Sequence, residues 1–496
     1  MHLICLRYFF EFTDAQGEKV YYGNYEFDKE CITNRDRMFD CPQNLREEEM
    51  FEVPEWAANK VVYQIFPSRF AATEPVDKEL WYKAPITPMD DLHGNLRGII
   101  EHMDDIQNLG IDVLYMTPIF QSNSCHKYDT TDYYQIDPSF GTTEDLKELV
   151  QKAHERGMKV VLDAVYNHTG REFFAFADIL ENGEKSKYRD WYFIDGFPLK
   201  SEWGEIPNFK CFGYYGGMPK LNLKNPEVEK YITDVACYWI KECDIDGWRL
   251  DVGDEISHFF WKNFRKAVKA VKKDMLIIGE IWHYAGDFLE GDEWDTVMNY
   301  PFYLNLIDLL ADEKITVSQF VQNLGYLKGR LHKNCYPLMW NLIDSHDTAR
   351  FLHLCNDNKK KQHLAAAFQL LLPGMPMIYY GDEYAMPGAN DPDCRRGMYW
   401  DEEYQDKEMY EWYKRLIQVR KSHACIVEGE LAGSVTEDEE GTVVLIRKNG
   451  EETIAMIFNC SSSAKKFNEY TQKYNLLTEN TFDGNVEGFD AAVIVL

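Results

Sequence analysis

The sequence predicts an α/β fold whose main part is a closed (β/α)8 barrel. From residue 60 onward, eight apolar segments alternate with amphipathic helical segments, and this alternation is typical of a parallel sheet. Eight is the number of strands that closes such a sheet into a barrel. Polar residues also collect at the C-terminal ends of several apolar segments, where barrel proteins carry their functional groups. A doubly wound open sheet is the alternative on periodicity alone.

The first 55 residues predict a small β segment that comes before the barrel. RYFFEF and VYYGNYEF flank the turn-forming stretch DAQGEK, which is a β-hairpin signal. A two-stranded hairpin is marginal alone and needs other structure to pack on. We therefore expect residues 1–55 to form a partial N-terminal β domain.

The barrel is expected to span residues 56–423. Two of its helices have clear start signals, since Thr142 and Asn225 are good N-caps and Pro226 suits a first helical turn. The predicted strands lie at 60–67, 112–118, 159–168, 245–252, 276–282, 295–300, 338–347 and 376–383.

Residues 169–222 are too many for a simple connection between the third strand and the next helix. They include REFFAFADIL and the glycine-rich CFGYYGGMPKLN. Long inserts on this rim of a barrel are commonly lids or small subdomains, so we expect a lid domain here. Short alternating strands return in GTVVLIRKNG and ETIAMIFNC, and they predict an antiparallel C-terminal β-sandwich over 424–496.

Composition limits the class of partner. The chain has 83 acidic and 53 basic residues, a net charge of −30, which repels nucleic acid and anionic membranes. We therefore expect no nucleic acid and no membrane as partners. The 12 cysteines lack C-x-x-C or zinc spacing, which fits reduced thiols in the cytoplasm. Neither a signal-peptide pattern nor an apolar run of transmembrane length is present in the sequence.

Charged residues converge on the predicted rim from several strands. An isolated carboxylate at a strand end commonly only caps the following helix. Convergence from four strands instead favours a shared site. The residues in question are Asp163, His168, Arg249, Asp251, Glu280, His346 and Asp347.

These residue types suit glycoside hydrolysis, in which one carboxylate attacks the anomeric carbon and a second carboxyl group protonates the leaving oxygen. Arg249 and Asp251 face the same side of their strand, so the arginine would keep Asp251 ionised as a nucleophile. Glu280 has apolar neighbours that can keep it protonated as acid/base. Asp347 would stabilise a cationic transition state. A retaining mechanism requires the carboxyl groups of Asp251 and Glu280 to lie about 5 to 5.5 Å apart.

A divalent metal site is the rival chemistry for Asp, Glu and His on a barrel. Metal-dependent hydrolase barrels usually carry H-x-H after the first strand. Here that strand ends in QIFPSRF, which contains no histidine. The sequence therefore favours glycoside hydrolysis without a metal.

Four short motifs resemble those of the α-amylase family of retaining glycosidases, in the same order and on the expected strands. The motifs are DAVYNH, GWRLDVGDE, GEIW and IDSHD. The resemblance implies Asp251 as nucleophile, Glu280 as acid/base and Asp347 as transition-state stabiliser. It also implies substrate-binding roles for Tyr128, His168, Arg249 and His346, with Asp163 as a support for the arginine.

A fifth motif, MPKLN, is similar to that of the neopullulanase, cyclomaltodextrinase and maltogenic amylase branch. The resemblance implies cleavage of α-1,4 glucosidic bonds, with α-1,6 bonds as a further target, in maltodextrins, cyclodextrins or pullulan, and some transglycosylation. It places Glu255 and Trp282 on the acceptor side and Asp393 with Arg396 or Arg395 on the donor side. The alternatives are an exo-acting α-glucosidase or oligo-1,6-glucosidase, and a catalytically inactive amylase-like binding protein.

The resemblance also bears on cofactors and assembly. Many members have a calcium loop rich in Asn, Asp and Gly after the first strand, but residues 68–81 lack that composition. We therefore expect no cofactor, with calcium left open. The branch carries a β-sandwich before the barrel that often mediates dimerisation, and residues 1–55 resemble only its last strands. A homodimer stays an open possibility, and an α-glucan oligosaccharide is the expected partner.

Overall fold

The computed structural model describes residues 5–24, 27–42, 52–200 and 206–496. Residues 43–51 of the predicted N-terminal segment and residues 201–205 of the predicted insert lie outside the described residues. The chain separates into two compact units, Met1–Glu52 and Val53–Leu496.

The N-terminal unit is built of short antiparallel strands. Its strands are β1 (Cys5–Tyr8), β2 (Phe10–Thr13), β3 (Lys19–Tyr22), β4 (Phe27–Asp28) and β5 (Phe39–Pro42). β2 pairs with β3 across the predicted turn, where Gly17 has a φ of +87°, a conformation that favours glycine. β4 extends this hairpin, and β1 pairs with β5.

The predicted barrel is confirmed in the second unit. Its strands up to residue 379 are β6 (Val62–Ile65), β7 (Val113–Met116), β8 (Phe120–Ser122), β9 (Thr130–Ile136), β10 (Lys159–Ala164), β11 (Gly247–Leu250), β12 (Leu276–Gly279), β13 (Thr296–Val297), β14 (Trp340–Asn341) and β15 (Met375–Tyr379). β8 and β9 form an antiparallel hairpin, while the other eight strands pair in parallel. A parallel bridge between Met298 and Trp340 joins the two ends of the sheet and closes it.

Each predicted barrel strand overlaps an observed one, but the seventh is much shorter than predicted. The prediction covered 338–347, whereas β14 contains only Trp340–Asn341. The following residues turn instead, because Asp344 accepts the N–H of Phe351 and the Ser345 N–H is bonded to the Thr348 hydroxyl. Side-chain hydrogen bonds of this kind compete with strand pairing, and here they shape a loop at the rim.

The barrel interior is a packed core. Alternate strand positions point inward, and the residues that fill the interior include Val62, Val113, Tyr115, Val161, Ile278, Trp340 and Met377. Gly279, at the end of β12, allows Trp294 to pack directly on the strand, since a Cβ there would lie 2.1 Å from that ring. This close packing fixes the strand end that carries Glu280.

Helices surround the barrel and connect its strands. They are α1 (Pro67–Phe70), α2 (Lys78–Trp81), α3 (Leu96–Glu101), α4 (Met103–Leu109), α5 (Thr143–Glu155), α6 (Phe174–Asn182), α7 (Pro226–Cys243), α8 (His258–Val271), α9 (Tyr300–Leu306), α10 (Val317–Arg330), α11 (Phe351–Leu354), α12 (Lys359–Leu371), α13 (Lys407–Ser422) and α14 (Cys425–Glu428). The predicted N-caps are confirmed. Thr142 forms a capping box with Asp145 on α5, and Asn225 caps α7 with Pro226 in the first turn. Among the described residues, no helix is long and apolar enough to cross a membrane.

The predicted insert folds as a small unit between β10 and α7. It contains α6 and several short bridges, such as those of His168 with Lys220 and of Cys211 with Pro219. The first of these bridges ties the insert to the end of the third barrel strand. The insert therefore lies at the rim where the polar residues collect.

The C-terminal part forms antiparallel sheets, as predicted. Its strands are β16 (Glu430–Glu437), β17 (Thr442–Asn449), β18 (Glu452–Asn459), β19 (Lys465–Lys466), β20 (Tyr474–Asn475), β21 (Asn480–Thr481), β22 (Asn485–Val486) and β23 (Asp490–Val495). A six-stranded sheet and the pair β19–β22 enclose a core that includes Ile457, Phe467 and Phe482. The predicted boundary at 423/424 falls between α13 and α14.

Candidate active site

A buried arginine forms the centre of the site. The Arg249 Nη1 donates to Asp251 Oδ1 at 2.9 Å and to both oxygens of Asp163 at 3.0 and 3.1 Å. Its Nη2 forms an ion pair with Glu280 Oε2 at 2.9 Å, without hydrogen-bond alignment, and lies 3.9 Å from Asp347 Oδ2. Four carboxylates thus surround one guanidinium, three from the ends of β10, β11 and β12 and one from the rim loop after β14.

Asp163 lies beneath this centre and fixes the arginine. Besides Arg249, it accepts the hydroxyl of Tyr115 at 2.7 Å and that of Tyr128 at 3.0 Å. Burial raises the pKa of Asp163 to about 6, although Arg249 opposes the rise. Asp163 therefore links the arginine to an aromatic side chain of the cavity wall.

Glu280 is held by groups on two sides. The backbone N–H of Val252 donates to its Oε2 at 2.8 Å, and the Trp282 indole N–H donates to its Oε1 at 3.3 Å. Both oxygens are thereby oriented, and the carboxyl group stays at the cavity wall. This fixed orientation suits a group that transfers a proton.

His346 connects the aromatic wall to Asp347. The side-chain amide of Gln64, oriented to donate, lies 2.6 Å from Nδ1, which places the ring proton on Nε2. That Nε2 is 3.2 Å from Asp347 Oδ2 and is hydrogen-bonded to the Tyr128 hydroxyl. The two rings are parallel, at 5.6 Å between centroids. Burial, reinforced by Arg395 and Arg249, lowers the pKa of His346 well below its ordinary value, so it is neutral.

Burial affects the pKa of both carboxyl groups beside the cavity, Asp251 and Glu280. Desolvation raises the pKa of Asp251 well above its ordinary value and also raises the pKa of Glu280, while the Arg249 charge opposes both rises. One guanidinium cannot neutralise four carboxylates. The direction of both shifts favours a proton shared by the pair, so that one member can act as an acid and the other as a base.

These groups face an open cavity of about 450 Å3. Its size is within the range of small-molecule sites. The lining includes both aromatic and charged side chains: His126, Tyr128, His168, Phe212, Met218, Asp251, Val252, Glu280, Trp282, Asp347, Asp391 and Arg395. Flat rings beside hydrogen-bonding groups complement the apolar faces and the hydroxyls of a sugar ring.

The predicted binding histidine His168 lies in this lining. Its Nε2 bonds to the carbonyl oxygen of Tyr128 at 3.2 Å, and the Phe212 ring stacks on it at 5.2 Å. Burial lowers the pKa of His168 to about 3, so the imidazole is neutral and can bind a hydroxyl without adding charge. Trp282, also predicted, lines the same cavity and stacks on Tyr300 at 4.0 Å.

Three other predicted residues lie outside the cavity lining. Glu255 is paired with Lys220 at 3.0 Å. Asp393 accepts two N–H groups of Arg396, at 2.8 and 2.5 Å, so these two side chains form an ion pair with each other. The neighbouring Arg395 reaches the cavity instead, with its Nη2 3.3 Å from Asp347 Oδ1.

Some lining residues were not predicted, although they lie in segments that the sequence had singled out. Phe212 and Met218 belong to the glycine-rich part of the insert, and His126 precedes Tyr128. Asp391 lies just before the Asp393–Arg396 turn and pairs with Arg395 at 2.8 Å. For Phe212, the sequence signal was an aromatic residue next to a glycine in an insert at the barrel rim.

The segment after the first strand presents few free oxygen ligands for a calcium ion. Arg69 places a buried guanidinium there, and Asp77 is used as the N-cap of α2. Calcium needs six to eight oxygen ligands, mostly from carboxylates and carbonyls. In the part of the chain that the structure describes, no three His, Cys, Asp or Glu side chains are grouped to hold a metal ion.

Comparison with known proteins identifies the family of the chain. The family described as "Alpha amylase, catalytic domain" matches residues 64–405. The chain is 45% identical to a cyclomaltodextrinase of Geobacillus thermopakistaniensis over 91% of this chain and 77% of the relative. It is 42% identical to neopullulanase 2 of Thermoactinomyces vulgaris over 92% of this chain and 78% of the relative. A solved structure of a cyclomaltodextrinase superposes with a TM-score of 0.91 at 37% identity, covering 99% of this chain and 87% of that one.

Proposed function

Because the chain belongs to the α-amylase family, we propose that it is a retaining glycoside hydrolase that cleaves α-1,4 and α-1,6 glucosidic bonds of cyclodextrins, maltodextrins or pullulan. One observation carries this proposal. Asp251, Glu280 and Asp347 converge on Arg249 at the wall of a single cavity. An inactive binding protein has no need for three ionisable groups held in this way.

In the first step we assign Asp251 as the nucleophile. Its carboxylate attacks the anomeric carbon of the bound glucosyl unit while the bond to the leaving oxygen breaks. Arg249, at 2.9 Å from Asp251 Oδ1, favours the ionised form that attack requires. Glu280 gives its proton to the leaving oxygen, and the product is a covalent glucosyl ester of Asp251.

In the second step Glu280, now ionised, removes a proton from water. The water oxygen attacks the same carbon, the ester bond breaks, and Asp251 returns to its carboxylate form. Two inversions leave the released sugar as the α-anomer. When a sugar hydroxyl takes the place of water, the same step gives transglycosylation.

Asp347 and the neutral groups act on the sugar without forming bonds to its anomeric carbon. The Asp347 carboxylate lies near Arg395 and His346, and we assign it to stabilise the positive charge that develops on the sugar ring. His168 and His346 would bind sugar hydroxyls. Tyr128 and Phe212 would pack on sugar faces.

A product profile tests the proposal and separates it from its alternatives. We expect pullulan to yield panose and β-cyclodextrin to yield linear products rich in maltose, each released as the α-anomer when followed by NMR. Glucose alone from every substrate would indicate an exo-acting α-glucosidase. A β-anomer would contradict the double displacement, and binding without turnover would indicate an inactive binding protein.

The reaction as proposed uses only side chains of this chain, so we infer that it needs no calcium. The buried Arg69 guanidinium lies in residues 68–81, the segment that corresponds to the calcium loop of many family members. Turnover of β-cyclodextrin should be the same after exhaustive dialysis against EDTA as before. A loss that added calcium restores would contradict this inference.

We also propose that the enzyme is cytoplasmic. Ten described cysteines are free thiols, five of them buried, as in reduced proteins.

We further propose that the enzyme forms a homodimer. In the N-terminal unit Phe10, Phe12 and Phe27 are about half exposed and contact one another, and exposed apolar faces commonly mark interfaces. Light scattering should give the mass of two chains, and the mass of one chain would contradict the pairing.

A further inference from the structure

A second cavity, of about 250 Å3, lies beside the loop that carries Trp282. Its walls come from that loop, from α9 and from α10. The residues that matter for its chemistry are Tyr284, Pro301, Asn305, Asn323, Tyr326 and Arg330. None of them takes part in the reaction described above.

Arg330 is held between two aromatic rings. Its guanidinium lies 3.7 Å from the centroid of Tyr284 and 5.1 Å from that of Tyr326, within the range of cation–π contacts. The Tyr284 hydroxyl donates to the carbonyl oxygen of Arg330 at 2.9 Å, which fixes this ring against the end of α10. Tyr326 is 66% exposed. In the described part of the chain, rings hold this guanidinium in place of a carboxylate.

Two amides are fixed in the same cavity. Asn323 Nδ2 donates to Asn305 Oδ1 at 2.6 Å, and Asn305 Nδ2 donates to the carbonyl oxygen of Pro301 at 2.8 Å. Groups that are already ordered lose little freedom when they bind a ligand. The cavity thus combines an exposed ring, a fixed cation and fixed amides.

The second cavity is lined by residues that neighbour the catalytic cavity in sequence. Trp282, on the wall of the catalytic cavity, stacks on Tyr300 at 4.0 Å with an interplanar angle of 14°. Tyr284 follows two residues after Trp282, and Pro301 is the residue after Tyr300; both line the second cavity. The stacked rings of Trp282 and Tyr300 therefore lie within two residues of the chain from the wall of the second cavity.

We propose that the second cavity binds a segment of linear α-1,4-glucan outside the catalytic cavity, an inference that rests on the proposed function. A flat ring packs on the apolar face of a glucose unit, while amides and a guanidinium bind its hydroxyls. The net charge of −30 disfavours a free anion such as phosphate as the ligand of Arg330. The site would hold long chains near the reaction centre and would have no effect on short ones.

The test compares chain lengths. In a Glu280→Gln background, which prevents turnover, calorimetry measures binding of short-chain amylose and of maltotriose with and without Tyr326→Ala and Arg330→Ala together. We expect the Kd for amylose to rise about three- to tenfold, as for loss of a stacked ring, and the Kd for maltotriose to stay the same. Tyr474→Ala, which removes an exposed ring from β20, is the matched control and should change neither.

An unchanged Kd for amylose in the double variant would overturn the proposal. Binding of inorganic phosphate that disappears in the double variant, with amylose binding unaffected, would identify an anion site and overturn it as well. The same two substitutions in the active enzyme should leave kcat and KM for maltotriose unchanged, which shows that the fold is intact. An unsubstituted chain that neither binds nor cleaves any α-glucan would instead refute the proposed function, a distinguishable outcome.

Discussion

Val252 donates its backbone N–H to Glu280 at 2.8 Å, and it does so from a left-handed conformation with φ of 46° and ψ of 44°. A β-branched residue rarely adopts this conformation, because its side chain crowds the backbone. Val252 directly follows Asp251, so one strained residue lies next to Asp251 in the chain and orients the carboxyl group of Glu280. Strain of this kind is typical of functional sites.

Replacement of Val252 by Asn should relieve this strain. Asn tolerates the left-handed region, so we expect Val252→Asn to raise the free energy of unfolding by about 1 kcal/mol. Denaturant titration measures the change. Val444→Asn, in the buried core of the C-terminal sheets, should destabilise instead. A loss of stability in Val252→Asn would show that the conformation is not strained.

The principal residues of the site could be predicted from sequence because barrel geometry does most of the placement. Parallel strands end on one rim, so Asp163, Arg249, Asp251 and Glu280 had to lie near each other once the strands were identified. The contribution of the insert could not be predicted in this way. Phe212 reaches the cavity only through the irregular fold of residues 169–222, which has no periodic pattern to read.

Substitutions of Glu280 and of Asp251 should differ in how their effect on kcat/KM depends on the leaving group of the substrate. An aryl α-glucoside with an activated leaving group needs no proton, whereas maltotriose does. We expect Glu280→Gln to lower kcat/KM for maltotriose by about 10²- to 10⁴-fold and to affect the activated substrate far less. Asp251→Asn should abolish turnover of both substrates, because it removes the nucleophile. Glu293→Gln changes a carboxyl group outside the cavity and is the control. Equal losses for both substrates in Glu280→Gln would contradict its role as the acid.

The pH profile of the activated substrate follows from the same roles. Burial raises the pKa of Glu280, and its proton is needed for maltotriose, so kcat/KM for maltotriose should fall at alkaline pH. Since the activated substrate needs no acid, its alkaline limb should be weak. Matching alkaline limbs for both substrates would assign this pKa to another group.

Glu383 makes the fold sensitive to pH. It is buried, accepts the Tyr63 hydroxyl at 2.6 Å, and burial raises its pKa to about 7. Because the pKa in the folded state lies above the unfolded value of 4.5, protonation of Glu383 stabilises the fold. This contribution to the free energy of unfolding is fully present below pH 4.5 and is lost as the pH rises through 7. Glu383→Gln keeps a neutral side chain at every pH. The unsubstituted chain should therefore lose about 2 to 3 kcal/mol of unfolding free energy between pH 5 and pH 8 that the Glu383→Gln variant keeps.

Thermal or urea unfolding at both pH values measures this difference. Any constant cost of the amide cancels, because only the difference between the two pH values is compared. Glu411→Gln, at an exposed position, should show no such difference. Parallel stability curves for Glu383→Gln and the unsubstituted chain would show that Glu383 is ionised in both states.

Lys127 supports the loop that carries His126 and Tyr128. Its Nζ forms an ion pair with Asp137 at 2.9 Å, with both side chains more than nine-tenths buried. Lys127→Met leaves a buried carboxylate without its cation, so we expect a loss of about 3 kcal/mol in unfolding free energy and a higher KM. Lys230→Met breaks an exposed pair with Asp234 and should cost less than about 0.5 kcal/mol. Similar small effects of both substitutions would contradict a supporting role for Lys127.

Two adjacent arginines offer a matched pair at the edge of the site. Arg395 donates its Nε–H to the carbonyl oxygen of His346 at 2.8 Å and reaches Asp347, whereas Arg396 is occupied by Asp393. The short helical turn over Asp393–Arg395 sets these directions, and adjacency in sequence cannot reveal them. Lysine keeps the charge but cannot reproduce the planar set of donors.

We therefore expect Arg395→Lys to lower kcat/KM for β-cyclodextrin by about tenfold or more, since it loses charge-assisted hydrogen bonds to the groups around Asp347. Arg396→Lys should leave kcat/KM nearly unchanged and lower the Tm, because the pair with Asp393 ties the turn to the N–H of Ile86. Steady-state kinetics and thermal unfolding of both variants separate the two roles. If Arg396→Lys proved the more damaging to catalysis, the cation that binds the sugar would be Arg396, and the turn would have to rearrange when substrate binds.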